Sequence, residues 1–161
     1  MKNKETERKE FTSLEIQLIE QLREQPEMMA RVQSILEITC QADGPMKTAD
    51  EVEEKVIKEM RRLGQVTLSQ WAIQAEERGS HELKEQDPTV LSRKKKTLKW
   101  WSVFGLVEVR ERIWSSSTQS YLRILPKRLG VTPRGRSQPL QRVLTDFGCE
   151  HSFGRAAESV R

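Results

Sequence analysis

Two hydrophobic periods follow one another along this chain, and the change between them constrains the fold more than any single motif. Through residue 80, apolar residues recur every three or four positions, the spacing of one face of an α-helix. Thr12-Ser13-Leu14-Glu15 reads as a capping box opening a helix, with Leu14, Leu18 and Leu22 on one face and Ile19 beside them. Pro26 ends that helix and suits the first position of the next, whose stripe is Met29, Val32, Leu36 and Thr39, flanked by Ile35. After the turn Ala42-Asp43-Gly44-Pro45, a second capping box, Thr48-Ala49-Asp50-Glu51, leads into Val52, Val56, Met60 and Leu63, with Gly64 placed to stop the helix. A fourth helix is expected from Thr67, turning Leu68, Trp71, Ala72 and Ala75 to a core. The expectation is a helical lobe over 1–80, with helices near 13–25, 26–40, 48–63 and 67–78.

Polar residues dominate 81–95 and Asp87-Pro88 breaks the chain, so this stretch reads as a linker. Beyond it, Lys96 to Val103 and Leu106 to Trp114 are rich in β-branched and aromatic residues and meet at Phe104-Gly105, which predicts a hairpin. In its second strand Val107, Val109 and Ile113 point one way and Glu108, Arg110 and Arg112 the other, so one face is apolar and one charged. The apolar face should pack on the terminal helices. Pro126 to Ser137 reads as a basic loop, Pro139 to Phe147 as a short helix stopped by Gly148, and residues after Ser152 as a last helix. The fold class expected is α+β, mainly α, with a third segment over 96–161.

Charge divides the chain in the same place. Residues 92–161 carry fifteen Lys/Arg against five Asp/Glu, whereas residues 1–91 carry thirteen against nineteen. Concentrated positive charge opposes compaction unless it meets a polyanion or an acidic partner, and nucleic acid is the leading candidate. No apolar run approaches the roughly 18 residues a bilayer span needs, and the N-terminus is polar, so neither export nor a membrane partner is expected. Cys40 and Cys149 lie far apart, which suits reduced thiols in a cytoplasmic protein. Cys149 and His151 make only one close ligand pair, too few for a zinc site, and no cofactor is expected.

The string Lys99-Trp100-Trp101-Ser102-Val103-Phe104-Gly105-Leu106-Val107-Glu108-Val109, then Gly135-Arg136-Ser137-Gln138-Pro139-Leu140-Gln141-Arg142-Val143-Leu144-Thr145-Asp146-Phe147-Gly148 and Ser152-Phe153-Gly154-Arg155-Ala156-Ala157, resembles the N-terminal region of insertion-sequence transposases of the ISKra group. The likeness covers roughly 64–161. It implies a helical N-terminal part, a hairpin and the start of a helix-turn-helix, ahead of an RNase-H-type catalytic domain whose carboxylates hold metal ions. Neither the recognition helix nor that catalytic domain is found in these residues. Two-metal phosphoryl transfer needs converging carboxylates, and the basic half offers only Glu108, Glu111, Asp146, Glu150 and Glu158, the first two alternating with arginines as ion-pair partners. The chain is therefore not expected to be an enzyme.

Arg93, Lys94, Lys95, Lys96 and Lys99 precede Trp100-Trp101, and each cation that meets a phosphate releases counterions. Successive strand residues face opposite ways, so one of the two tryptophans belongs in the core and the other is open to a base or an interface. Arg134 and Arg136 lie in a loop stiffened by Pro133, while Arg142 and Arg155 sit on the two terminal helices. The functional expectation is the DNA-binding and assembly portion of a transposase: the basic lobe on DNA, the acidic lobe on a second copy or a full-length transposase. The alternative is a structural or regulatory protein whose basic lobe holds an acidic protein.

Overall fold

Thr12 starts the first helix, α1 (Ser13–Glu24), as its capping box predicts: its hydroxyl accepts from Glu15 N, and the Glu15 carboxylate accepts from Thr12 N at 2.7 Å. In the computed structural model, which describes residues 11–40, 48–118 and 120–150, α2 (Pro26–Cys40) follows after a single residue, Gln25. The stripes that meet are not the expected ones. Ile19 and Leu22 of α1 and Met28, Val32 and Ile35 of α2 are half-buried, and Ile38 is buried, while Leu14, Leu18, Met29 and Leu36 stay exposed. Both helices carry two neighbouring apolar stripes, and a 3.6-residue period does not say which of them turns inward.

The second capping box also acts as expected, with Glu51 N donating to the Thr48 hydroxyl at 3.3 Å. The helix it opens, α3 (Ala49–Gln86), then runs unbroken through both the expected stop at Gly64 and the first part of the expected linker. Gly64 serves packing. A Cβ there would lie 2.5 Å from the ring of Phe104, so the missing side chain is what lets the hairpin turn close on the helix. Gly64, Leu68, Ala72, Ala75 and Gly79 form one stripe of mostly small residues, which turns Trp71 outward, half exposed, against expectation.

Only 87–90 remain as a connection. The Asp87 carboxylate accepts from Thr89 N at 3.0 Å, and Val90 N donates to the Asp87 carbonyl. Strands β1 (Leu91–Ser102) and β2 (Gly105–Ser115) form one antiparallel pair, with Trp100 opposite Val107, Leu98 opposite Val109 and Lys96 opposite Glu111. Gly105, at φ 112, lets the two-residue connection Val103–Phe104 reverse the chain. The expected apolar face exists, and among the described residues α3, not α5, covers it. Ala72 and Ala75 meet Leu98, Trp100, Val107 and Val109, with Leu125 completing the cluster and Leu68, Leu129 and Val131 around it. Each large side chain so buried contributes roughly 1.5–3 kcal/mol.

Part of the expected basic loop is the helix α4 (Leu125–Leu129), ended by Gly130 in the left-handed region. Helix α5 (Gln138–Glu150) begins where Pro139 suggests but continues past Gly148. The helix expected after Ser152 lies outside the described residues. The fold is α+β and mainly α, divided into two compact units, Met1–Val56 and Ile57–Arg161, so the division falls inside α3 and not in the 81–95 stretch. No helix among the described residues is long and apolar enough to cross a membrane.

Candidate nucleic-acid interface

Strand geometry sorts the expected cluster of cations into two groups. Arg93 is the extra residue of a bulge between Ser92 and Lys94, and its Nε donates to the Ser115 hydroxyl at 2.9 Å. Lys94 and Lys96 then share the face of Leu98 and Trp100, while Lys95 and Lys99 share the face of Thr97 and Trp101. Lys96 is engaged with Tyr121, 3.3 Å from its hydroxyl and 5.8 Å from its ring centre. What the sequence presents as one run of five charges is thus two fields on opposite sides of a ribbon.

The outer face carries more than its own strand supplies. Arg110, opposite Thr97, adds a cation outside the expected site residues, although the alternation of Glu108, Arg110 and Arg112 marks it in the sequence. The segment around Arg134 to Ser137 then docks on the free edge of β1: Arg134 N donates to the Lys99 carbonyl at 2.6 Å, Trp101 N to the Gly135 carbonyl at 2.9 Å, and Ser137 N to the Trp101 carbonyl at 2.8 Å. Trp101 and Arg136 pair as parallel-bridge partners and so share a face. Arg134 adopts φ 62, the one non-glycine residue in the left-handed region among the described residues, and Gly135 beside it has Thr132 so close that a Cβ would meet it at 2.9 Å. This tight turn brings Arg134 and Arg136, remote in sequence, beside Lys99.

The two tryptophans separate cleanly. Trp100 is 3% exposed and belongs to the core, whereas Trp101 is 49% exposed on the outer face. Glu108 is the carboxylate of that face, and it is held by Lys99 at 2.6 Å. Among the described residues Lys95, Arg110, Arg134 and Arg136 form no ion pair. Arg142 stands on α5, exposed, by an open groove of about 420 Å³ that also has Asp146 on its wall. Arg155 lies outside the described residues.

Each carboxylate packed near the hairpin is tied to its own cation. Glu111 corrects the sequence reading, for it lies on the apolar face and not among the arginines. It is 1% exposed and accepts from Arg123 Nε at 2.7 Å and from the same guanidinium's terminal nitrogen. Glu76 of α3 accepts both the backbone N of Arg112, at 3.0 Å, and its guanidinium, at 3.1 Å. Glu82 receives two bonds from Arg128, which hold its carboxyl below the ordinary value of 4.5 and raise Arg128 in return. Together these three pairs tie α3, β2 and the 120–130 segment to one another, so they act as clamps. Among the described residues no group of three His, Cys, Asp or Glu side chains is placed to hold a metal ion. Compared with protein-family models, curated proteins and solved structures, the chain matches none.

Proposed function

We propose that the unit Ile57–Arg161 binds nucleic acid, and that the chain is the DNA-binding and assembly part of a cytoplasmic transposition system of the kind it resembles, without catalysing strand transfer itself. The observation that carries this reading is the gathering of Lys95, Arg110 and Arg136 on one face, with Arg134 in the turn beside it, where the carboxylate, Glu108, is already neutralised. Cations left without partners keep their full charge for an incoming polyanion, and a face held by backbone bonds loses little entropy on binding. The acidic unit Met1–Val56, with Leu14 and Leu18 exposed, supports a second role in contacting another copy or a full-length transposase.

The test is a salt titration of the full chain on duplex DNA of unrelated sequences. Log affinity should fall linearly with log salt, and replacing Lys95, Arg110 and Arg136 by Gln together should reduce the slope by up to about 3. Binding to polyglutamate as tight as to DNA at equal salt, with a slope those variants leave unchanged, would favour the acidic-protein alternative. Cleavage of insertion-sequence ends by the purified chain with Mg²⁺ or Mn²⁺ would overturn the non-catalytic assignment.

A further inference from the structure

Adjacent tryptophans are treated oppositely by this fold. Trp100 fills the core between α3 and β2, while Trp101, one residue on, leaves half its surface in water. The exposed indole is nonetheless rigidly mounted, because its backbone N and O are both bonded to the 134–137 segment, at 2.9 and 2.8 Å. An exposed aromatic on a frame bonded at both edges has little left to lose when a flat partner stacks on it. Its neighbours on the same face are Leu106 directly opposite, Arg136 across the parallel bridge and, one pleat away at roughly 6.8 Å, Lys99 paired with Glu108, with Arg110 and Lys95, unpaired among the described residues, further along the ribbon.

We infer that the outer face of the hairpin, built from Trp101, Arg136, Lys99, Arg110 and Lys95, is a stacking site for single-stranded nucleic acid. The inference rests on the nucleic-acid reading above and narrows it. Phosphates of either a duplex or a single strand satisfy the cations, but only an unpaired strand exposes the flat face of a base to Trp101. An acidic peptide would engage the same cations and leave the indole unused. Base stacking is indifferent to sequence, since every base has a π-face, so the site selects strandedness without reading bases.

The experiment measures binding of the full chain to fluorescent 12-mers of oligo(dT) and oligo(U) and to a 12-base-pair duplex, at one salt concentration, for the wild type and for Trp101→Ala, Trp101→Phe and Arg136→Gln. Expected is a loss of about tenfold or more on both single strands for Trp101→Ala, a change below about twofold on the duplex, and recovery of most of the loss in Trp101→Phe. Arg136→Gln should weaken single strand and duplex alike. The tighter of oligo(dT) and oligo(U) identifies DNA or RNA as the source of the strand. Far-UV circular dichroism melts check folding. Should Trp101→Ala unfold, the Phe variant decides the matter: quenching of tryptophan emission by the oligonucleotide should shrink while binding persists. Equal losses on single strand and duplex, no loss on either, or undiminished quenching in Trp101→Phe overturns the stacking site. Duplex binding that survives those results keeps the broader reading, whereas a wild-type chain that binds no nucleic acid sinks both.

Discussion

The two units of this protein solve the same problem with unequal means. Met1–Val56 carries eight Lys/Arg and thirteen Asp/Glu, and among its described residues Ile38 alone is a buried hydrophobic. Ile57–Arg161 carries twenty Lys/Arg and eleven Asp/Glu, yet it buries Leu98, Trp100, Val107, Val109, Ile113, Trp114 and Leu125 among others. The unit with the greater self-repulsion has the larger core and ties arginines to carboxylates at Glu76, Glu82 and Glu111. The acidic unit leaves one of its apolar stripes outside, with Leu14 78% exposed, so its helices depend on their caps and on the half-buried stripe between α1 and α2. Ion pairs and burial thus hold the basic unit, whereas capped helices and an exposed apolar stripe mark the acidic one.

The sharpest attempt to break the contrast is Val109→Asp, which sets a charge beside Leu98 and Ala72. A cost of about 4 kcal/mol or more is expected, read as loss of the cooperative melt of the tryptophan near-ultraviolet signal. A wild-type melt would place that face in solvent. Next is Glu111→Ala, which strands Arg123 against a largely dry surface and should cost about 3–5 kcal/mol in denaturant midpoint, more than a Glu111/Arg123 double replacement by leucines. A double variant less stable than the single one would mean the pair is not a clamp.

Gly64→Ala tests a sign. Helix propensity alone would stabilise α3 by about 1 kcal/mol, whereas the clash with Phe104 should destabilise by about 1–3 kcal/mol. A raised melting temperature would mean the hairpin turn does not lean on the helix. In the acidic unit, Leu18→Ser should change stability by no more than about 0.5 kcal/mol, and a larger loss in urea titration would reveal packing that the exposure of Leu18 denies.

The smallest effect is that of pH on the Arg128 clamp. The Glu82 carboxyl is depressed below 4.5 by its hydrogen bonds from Arg128, so its contribution is complete above the unfolded value and is lost as pH falls through the lowered folded one. Melting temperatures measured between about pH 5 and pH 3 should therefore fall slightly less steeply in Glu82→Gln than in the wild type. A steeper fall would reverse the assignment.

Local signals determine structure where local chemistry suffices. Both capping boxes, the helix start at Pro26, the break at Asp87-Pro88 and the alternation of Val107, Val109 and Ile113 need only neighbours within a turn or a pleat, and each stands where the sequence puts it. Gly64 and the 81–95 stretch depart from the local expectation for the converse reason. A glycine marks a helix end in the absence of anything else, but Phe104, forty residues on, occupies the space that a side chain would have filled. Polar residues at Arg93 to Lys96 look like linker until strand β2 pairs with them along its length.

The candidate interface divides along the same line. That the second half of the chain is basic, and that one of Trp100 and Trp101 must be open, follows from composition and from the pleat, since side chains on a strand alternate whatever surrounds them. Which tryptophan faces out was decided by the side from which α3 approaches, and the company of Arg134 and Arg136 was decided by a turn that presents their backbone to the edge of β1. Periodicity and charge are carried by residues near one another in the chain. The choice between two equivalent faces, and the meeting of cations thirty-seven positions apart at Lys99 and Arg136, depends on packing across the molecule, which no local pattern encodes.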